Sequence, residues 1–228
     1  MKQLAAVVAL ALAVACGGGG SASSPTTPTQ TPTPTPTNRA PSISSMSFSP
    51  SFGIQQLTSF SYSASATDPD GDTVTYTWDI AGNARTGSSG SISFSNGGSG
   101  TASLTVSDGK GGTATDSRTF TVGSMTGNWA VTNACGTFNM SFAQVGTSGS
   151  GTLTFPIAWC NVPGGTTGRT DPAEPPTIDS SGNIVIRIKV GVFIDLYLRG
   201  QMDSTGRRVT GNTFGSGFNG QPFTMVKQ

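Results

Sequence analysis

From residue 42 onward the chain alternates between apolar and polar positions. In residues 57–66, LTSFSYSASA, Phe60, Tyr62, Ala64 and Ala66 fall on one side and small hydroxyl residues on the other. The same period of two recurs in 73–79 (TVTYTWD), with Val74, Tyr76 and Trp78 in phase. It recurs again in 91–95 (SISFS), 101–109 (TASLTVSDG) and 113–122 (TATDSRTFTV). Successive side chains of an extended backbone point to opposite faces, so each run reads as a strand with one buried face. Short strands of this kind, punctuated by Gly, Ser, Asn and Asp clusters, predict a β-sandwich.

A second series fills residues 124–228: 127–131 (GNWAV), 137–145 (TFNMSFAQV), 151–159 (GTLTFPIAW), 184–200, 207–211 and 221–227. In 184–198 every even position is apolar, from Ile184, Ile186, Ile188 and Val190 through Val192 and Ile194 to Leu196 and Leu198, whereas Arg187, Lys189, Asp195 and Arg199 are odd. One buried and one wetter face follow, with a break into two strands near Gly191. About six to eight antiparallel strands in a hundred residues suit a small β-barrel or sandwich. The fold class expected is all-β: a sandwich over residues 38–123 followed by an antiparallel barrel or sandwich over 124–228.

The first 37 residues follow a different pattern. Met1-Lys2 precedes a twelve-residue apolar run, 4–15 (LAAVVALALAVA), too short to cross a bilayer comfortably and of the length of a secretory leader. The run ends in Ala13-Val14-Ala15, directly before Cys16. This arrangement resembles the lipobox of bacterial lipoproteins, although Ala13 stands where that family usually has Leu. The resemblance implies a signal peptide over residues 1–16, a lipidated Cys16, a membrane anchor as partner, and a location in the bacterial cell envelope, facing the periplasm or the cell surface. Residues 17–24 (GGGGSASS) and 25–37 (PTTPTQTPTPTPT) form a linker over 17–37. Its alternate prolines favour polyproline II, which at about 3.1 Å per residue reaches roughly 40 Å.

Composition narrows the chemistry. Charged residues make up 10% of the chain, the formal net charge is +1, and histidine is absent. No basic field invites nucleic acid, and the commonest general base and zinc ligand are both missing. Of three cysteines, assigning Cys16 to lipid leaves Cys135 and Cys160, for which a disulfide is expected in an exported chain. A loop of that length stabilises by about 3–4 kcal/mol on the chain-entropy model.

The opening Asn38-Arg39, the turn Asp68-Pro69-Asp70-Gly71-Asp72, Tyr76-Thr77-Trp78-Asp79 and the closing run 104–112 (LTVSDGKGG) occur in the order found in PKD domains. Residues 38–123 therefore resemble a PKD, Ig-like or cadherin-like module. The usual Trp-Asp-Phe-Gly-Asp-Gly departs here to Trp78-Asp79-Ile80-Ala81-Gly82-Asn83, which affects the turn that follows. The resemblance implies an Ig-like sandwich with a buried Trp78. Because some such modules bind calcium, it also implies Asn38, Asp68 and Asp70 as candidate calcium ligands. The spacing of Asp68, Asp70, Asp72 and Asp79 mimics an EF-hand loop, but Thr73 occupies the place of the turn glycine and 73–78 reads as a strand. As a fold element the stretch is a hairpin turn: Pro69 sets φ, Asp70 follows, and Gly71 takes positive φ.

Residues 161–183 read as a long polar loop holding Arg169, Asp171 and Glu174. A carboxylate pair could serve glycoside hydrolysis, but no aromatic subsite accompanies it, so partner recognition or a solvated loop is the expectation. In 214–223, Phe214, Phe218 and Phe223 are expected to cover a barrel end. No catalytic residue is assigned. The function expected is a non-catalytic, lipid-anchored binding and spacer protein that contacts protein or glycan. Two alternatives remain, a lipocalin-like carrier with an apolar cavity in the barrel and a component of an extracellular hydrolase system. A filled barrel interior would count against the carrier.

Overall fold

A computed structural model describes residues 37–228 apart from 156, 157, 161, 163, 192, 193 and 216. The leader, Cys16 and the linker through residue 36 lie outside the described residues, as does Val192. Residues 37–228 form one compact unit containing two apolar cores, and every described element in it is a strand.

The first eight strands build a sandwich. β1 (Ser42–Ser49), β3 (Phe60–Thr67) and β6 (Ser89–Ile92) form one sheet in the order β1-β3-β6. The other, in the order β2-β8-β7-β4-β5, contains β2 (Phe52–Ile54), β4 (Thr75–Ile80), β5 (Asn83–Thr86), β7 (Gly98–Ser107) and β8 (Thr113–Gly123). Their inner faces are the alternating positions read from the sequence: Phe60 and Tyr62 from one sheet meet Trp78, Leu104, Val106 and Phe120 from the other. Trp78 is fully buried against Tyr62, and its indole N–H donates to the Gly87 carbonyl at 3.0 Å. The family's departure after Trp78 resolves into a two-residue hairpin. Ile80 pairs with Asn83, and Ala81 and Gly82 both take positive φ (48° and 82°), the conformation of a type I′ turn.

The remaining strands close into an eight-stranded barrel. Its walls are β9 (Gly127–Asn133), β10 (Gly136–Val145), β11 (Ser148–Thr154), β12 (Thr167–Thr170) with β13 (Thr177–Ile178), β14 (Asn183–Val190), β15 (Ile194–Met202), β16 (Arg208–Gly215) and β17 (Phe218–Lys227). All pairings are antiparallel, and β17 returns to β9 to complete the ring. An eight-stranded barrel is just wide enough for side chains to fill it. Here Trp129, Phe138, Met140, Phe155, Trp159, Ile186, Ile188, Leu198 and Met225 occupy the inside, all fully buried. Cys135 and Cys160 are joined in a disulfide, with Cα atoms 5.2 Å apart.

The expected polar loop over 161–183 is a broken wall of this barrel. β12 and β13 share one position between β11 and β14. Thr170 pairs with Ile188 and Thr177 with Val185, so six residues on one side face two on the other, and residues 172–175 are extruded. Hydrogen bonding resumes at both ends of the excursion, Asp171 N to Arg187 O at 3.0 Å and Gly149 N to Pro176 O at 3.0 Å. The buried Thr170 hydroxyl accepts from Gly151 N at 2.9 Å, which fills the gap left in the ladder. The alternation was not visible because glycine holds the inward position 168, where a Cβ would press on Val190 and Leu153.

Sandwich and barrel are continuous. Ile54 and Met125 belong to the barrel's core, with Phe52 and Leu57 packed on it. The buried Gln144 accepts from Met125 N at 2.9 Å through its side-chain oxygen, and Gln56 Oε1 accepts from Gly146 N at 2.7 Å. Lys227 Nζ donates to the Ser124 carbonyl at 3.0 Å and lies 5.5 Å from the centre of the Trp129 ring. Burial pushes the Lys227 ammonium below its ordinary pKa, and Arg207 adds to the effect.

Candidate functional site

The aspartates of the first hairpin serve the chain's own backbone. Asp68 Oδ1 accepts the amides of Asp70 (2.8 Å) and Asp72 (3.2 Å), and Gly71 takes positive φ as expected. Asp70 receives the Arg39 amide at 2.6 Å and its Nε at 2.9 Å, which hold its carboxyl below the usual range. Lys110 reaches Asp72 at 2.5 Å. Asn38 donates instead to Asp108 Oδ2 at 2.7 Å, while Asp108 Oδ1 accepts the amides of Lys110 and Gly112. The Asn38 amide is the largest cause of the lowered Asp108 pKa.

The three residues expected to hold calcium are therefore turned to three different partners. One oxygen each of Asp68 and Asp72 is buried without a hydrogen bond, the one feature that would suit a cation. Against it, Arg39 and Lys110 already bring positive charge to this turn. Among the described residues no group of three acidic, His or Cys side chains is arranged to hold a metal ion. The arrangement does not fit calcium.

The outer wall of the barrel carries a different kind of surface. Arg187 on β14 pairs with Asp195 on β15 (NH2 to Oδ2, 2.5 Å), with Glu174 of the extruded segment, and with Asp171 at 3.2 Å. Lys189 also reaches Asp171, at 2.8 Å. Asp171 is 4% exposed, and its carboxyl is held below the usual range chiefly by Lys189 and then by the Ala173 amide. The carboxylates singled out as a hydrolytic pair, Asp171 and Glu174, thus do meet, but across the guanidinium of Arg187 and as its counter-ions. Tyr197 donates to Glu174 Oε2 at 3.0 Å, and burial followed by this hydrogen bond raises its pKa.

Tyr197 and Phe214 are cross-strand partners on this wall, both half-buried. The Arg199 guanidinium lies 5.7 Å from the centre of each ring, and that of Arg187 lies 5.3 Å from Tyr197. Cations at these distances are attracted to the faces of the rings. Phe214 therefore does not cover a barrel end. Phe223 also departs from expectation, being buried in the wall opposite Gly211, and Phe218 packs at the core margin, stacked on Trp159 at 5.4 Å. Sequence reading missed the Tyr197–Phe214 pair. Its signal was two aromatics at polar-phase positions, out of phase with Leu196 and Leu198 on β15 and with Val209 on β16.

Beside this patch two grooves meet at Arg169. One, of about 860 Å³, is lined by Thr152, Thr154, Thr167, Arg169, Asp171 and Lys189 among others. The other, of about 460 Å³, runs past Ser150, Arg169, Pro172 and Pro175.

Residues 38–122 match the PKD domain family. The PKD1 domain of Vibrio anguillarum Epp is 33% identical over 38% of this chain and 96% of that domain, with a TM-score of 0.31. The chain belongs to the PKD-domain proteins. A carbohydrate-binding module of the β-sandwich superfamily is 15% identical over 85% of this chain and 93% of that one, with a TM-score of 0.36. A quinonprotein alcohol dehydrogenase-like protein from Bacteroides thetaiotaomicron is 10% identical over 70% of this chain and 57% of that one, with a TM-score of 0.30. None of the curated proteins compared matches the chain.

Proposed function

We propose that this is a non-catalytic binding protein of the bacterial cell envelope, tethered by lipid at Cys16. The PKD domain acts as spacer, and the outer wall of the barrel makes contact with a protein or glycan. The observation that carries the reading is the combination of a filled barrel interior with a solvent-facing Tyr197–Phe214 pair overlaid by arginines. The packed interior speaks against a carrier that holds an apolar ligand inside. Tyrosine and arginine are the residue types that dominate contact energies at binding surfaces, and flat rings on a rigid sheet lose little conformational entropy on contact. The pairing of Asp171 and Glu174 with one guanidinium speaks against acid–base chemistry there. The test is a screen of the fragment 37–228, which contains both cores, against glycan and envelope-protein arrays, repeated with Tyr197→Ala and Phe214→Ala. Binding lost in both variants supports the reading; binding that survives both overturns the assigned face. Mass spectrometry of the mature N-terminus tests the anchor, which an unmodified Cys16 would refute.

A further inference from the structure

We infer that the paired grooves at the broken wall of the barrel bind an anionic saccharide, a chain bearing carboxylate or sulfate groups, with Arg169 as the anion-recognising residue. The inference rests on the outer wall being the contact face and names the ligand class it takes.

Three observations carry it. Arg169 is exposed, lines both grooves, and makes no ion pair or hydrogen bond among the described residues. The acids that could neutralise it are engaged elsewhere: Asp171 by Lys189 and Arg187, Glu174 by Arg187 and Tyr197, and Asp195 by Arg187. Lys189 is the cross-strand neighbour of Arg169, so two cations stand side by side on the groove floor while one carboxylate lies buried beneath. An unpaired guanidinium presents a planar fork that matches a carboxylate or sulfate with two parallel hydrogen bonds.

The rest of the lining selects a saccharide over an acidic peptide. Thr152, which pairs across the strands with Arg169, and Thr154 and Thr167, which pair with each other, turn exposed hydroxyls to the groove. A hydroxyl both donates and accepts, the complement of a sugar hydroxyl, whereas among the described lining residues no large exposed apolar side chain offers a peptide side chain a seat. The Tyr197–Phe214 rings begin two strand spacings away, about 10 Å from β12, within reach of a second sugar whose apolar face would lie on them. Pro172 and Pro175 stiffen the rim, which keeps the site formed before a ligand arrives.

The experiment measures binding of fragment 37–228 by titration calorimetry to oligogalacturonate, its fully methyl-esterified form, a sulfated oligosaccharide, inorganic sulfate and polyglutamate. Wild type is expected to bind one of the two charged oligosaccharides, with at least tenfold weaker binding to the methyl ester, to free sulfate and to polyglutamate. Arg169→Gln is expected to weaken that binding at least tenfold with unchanged melting, because the side chain holds no partner, and Arg169→Lys to restore part of it. Equal affinity of Arg169→Gln and wild type overturns the proposal. So does failure of both charged oligosaccharides, or a preference for polyglutamate or free sulfate. Should these fail while an array ligand is still lost in Tyr197→Ala, the contact face stands and the anionic ligand falls; should no array ligand respond to Tyr197→Ala, the contact face itself falls.

Discussion

The two halves of the molecule differ in where their charge collects: both close turns with aspartates, Asp179 and Asp203 doing so in the barrel, but only the barrel adds a charged cluster on its outer wall. In the sandwich, charge is structural: Asp68, Asp70, Asp72 and Asp108 each close a turn or tie one turn to another, and their cations, Arg39 and Lys110, are engaged in the same work. In the barrel, the frame is made of apolar side chains and closed by geometry, so charge can gather on the outer wall, where Arg169 has no counter-ion among the described residues. The difference teaches that a dense acidic motif can mark how a chain turns, whereas an arginine isolated among threonines can mark what it meets.

The largest expected effect tests the apolar frame. Trp129→Ala removes a fully buried ring and its hydrogen bond to the Met125 carbonyl, and should cost about 3–5 kcal/mol in urea unfolding. Replacing Cys135 and Cys160 together by serine should cost about 3–4 kcal/mol, read as a lower melting temperature that reductant no longer changes. Ile54→Ala should cost about 2 kcal/mol or more and, because Ile54 joins the sandwich to the barrel core, should separate one unfolding transition into two. A single transition with unchanged midpoint would show that Ile54 does not carry the coupling between the two halves.

A smaller effect addresses the charged turns. A carboxyl whose folded pKa lies below its ordinary value adds stability above that value and surrenders it as pH falls through the folded one. Asp108 and Asp70 are both lowered, by Asn38 and Arg39 respectively, so stability should decline as pH drops below about 4. Asp108→Asn should make that decline shallower while lowering stability at neutral pH; an unaltered acid limb would remove Asp108 from the frame. Smallest of all, Tyr197→Ala should leave melting nearly untouched while abolishing binding. If it destabilises as much as Asp108→Asn, the contrast between framing and free charge collapses.

Much of this was legible in the residues. The in-phase Phe60 and Tyr62, Val74 and Trp78, and Ala102, Leu104 and Val106 all lie on the inner faces of the sandwich, and the break at Gly191 separates β14 from β15. Other features needed the structure. Closure depends on β17 finding β9 across ninety residues of chain, and local periodicity says nothing about pairing at that distance. β12 escaped notice because an inward glycine erases the alternation, and β13 is only two residues long. The residues read by resemblance as calcium ligands engage separate partners, Asn38 having its own acceptor in Asp108, which no spacing rule reveals.

The ring of the barrel has one further consequence. A sheet that returns upon itself has no outermost strand, and so offers no row of unpaired amides and carbonyls onto which another chain could zip. A partner on the proposed contact face would be discriminated by side chains alone, so selection could exchange Arg169, Tyr197 or Phe214 and redirect such binding while the frame beneath stays as it is.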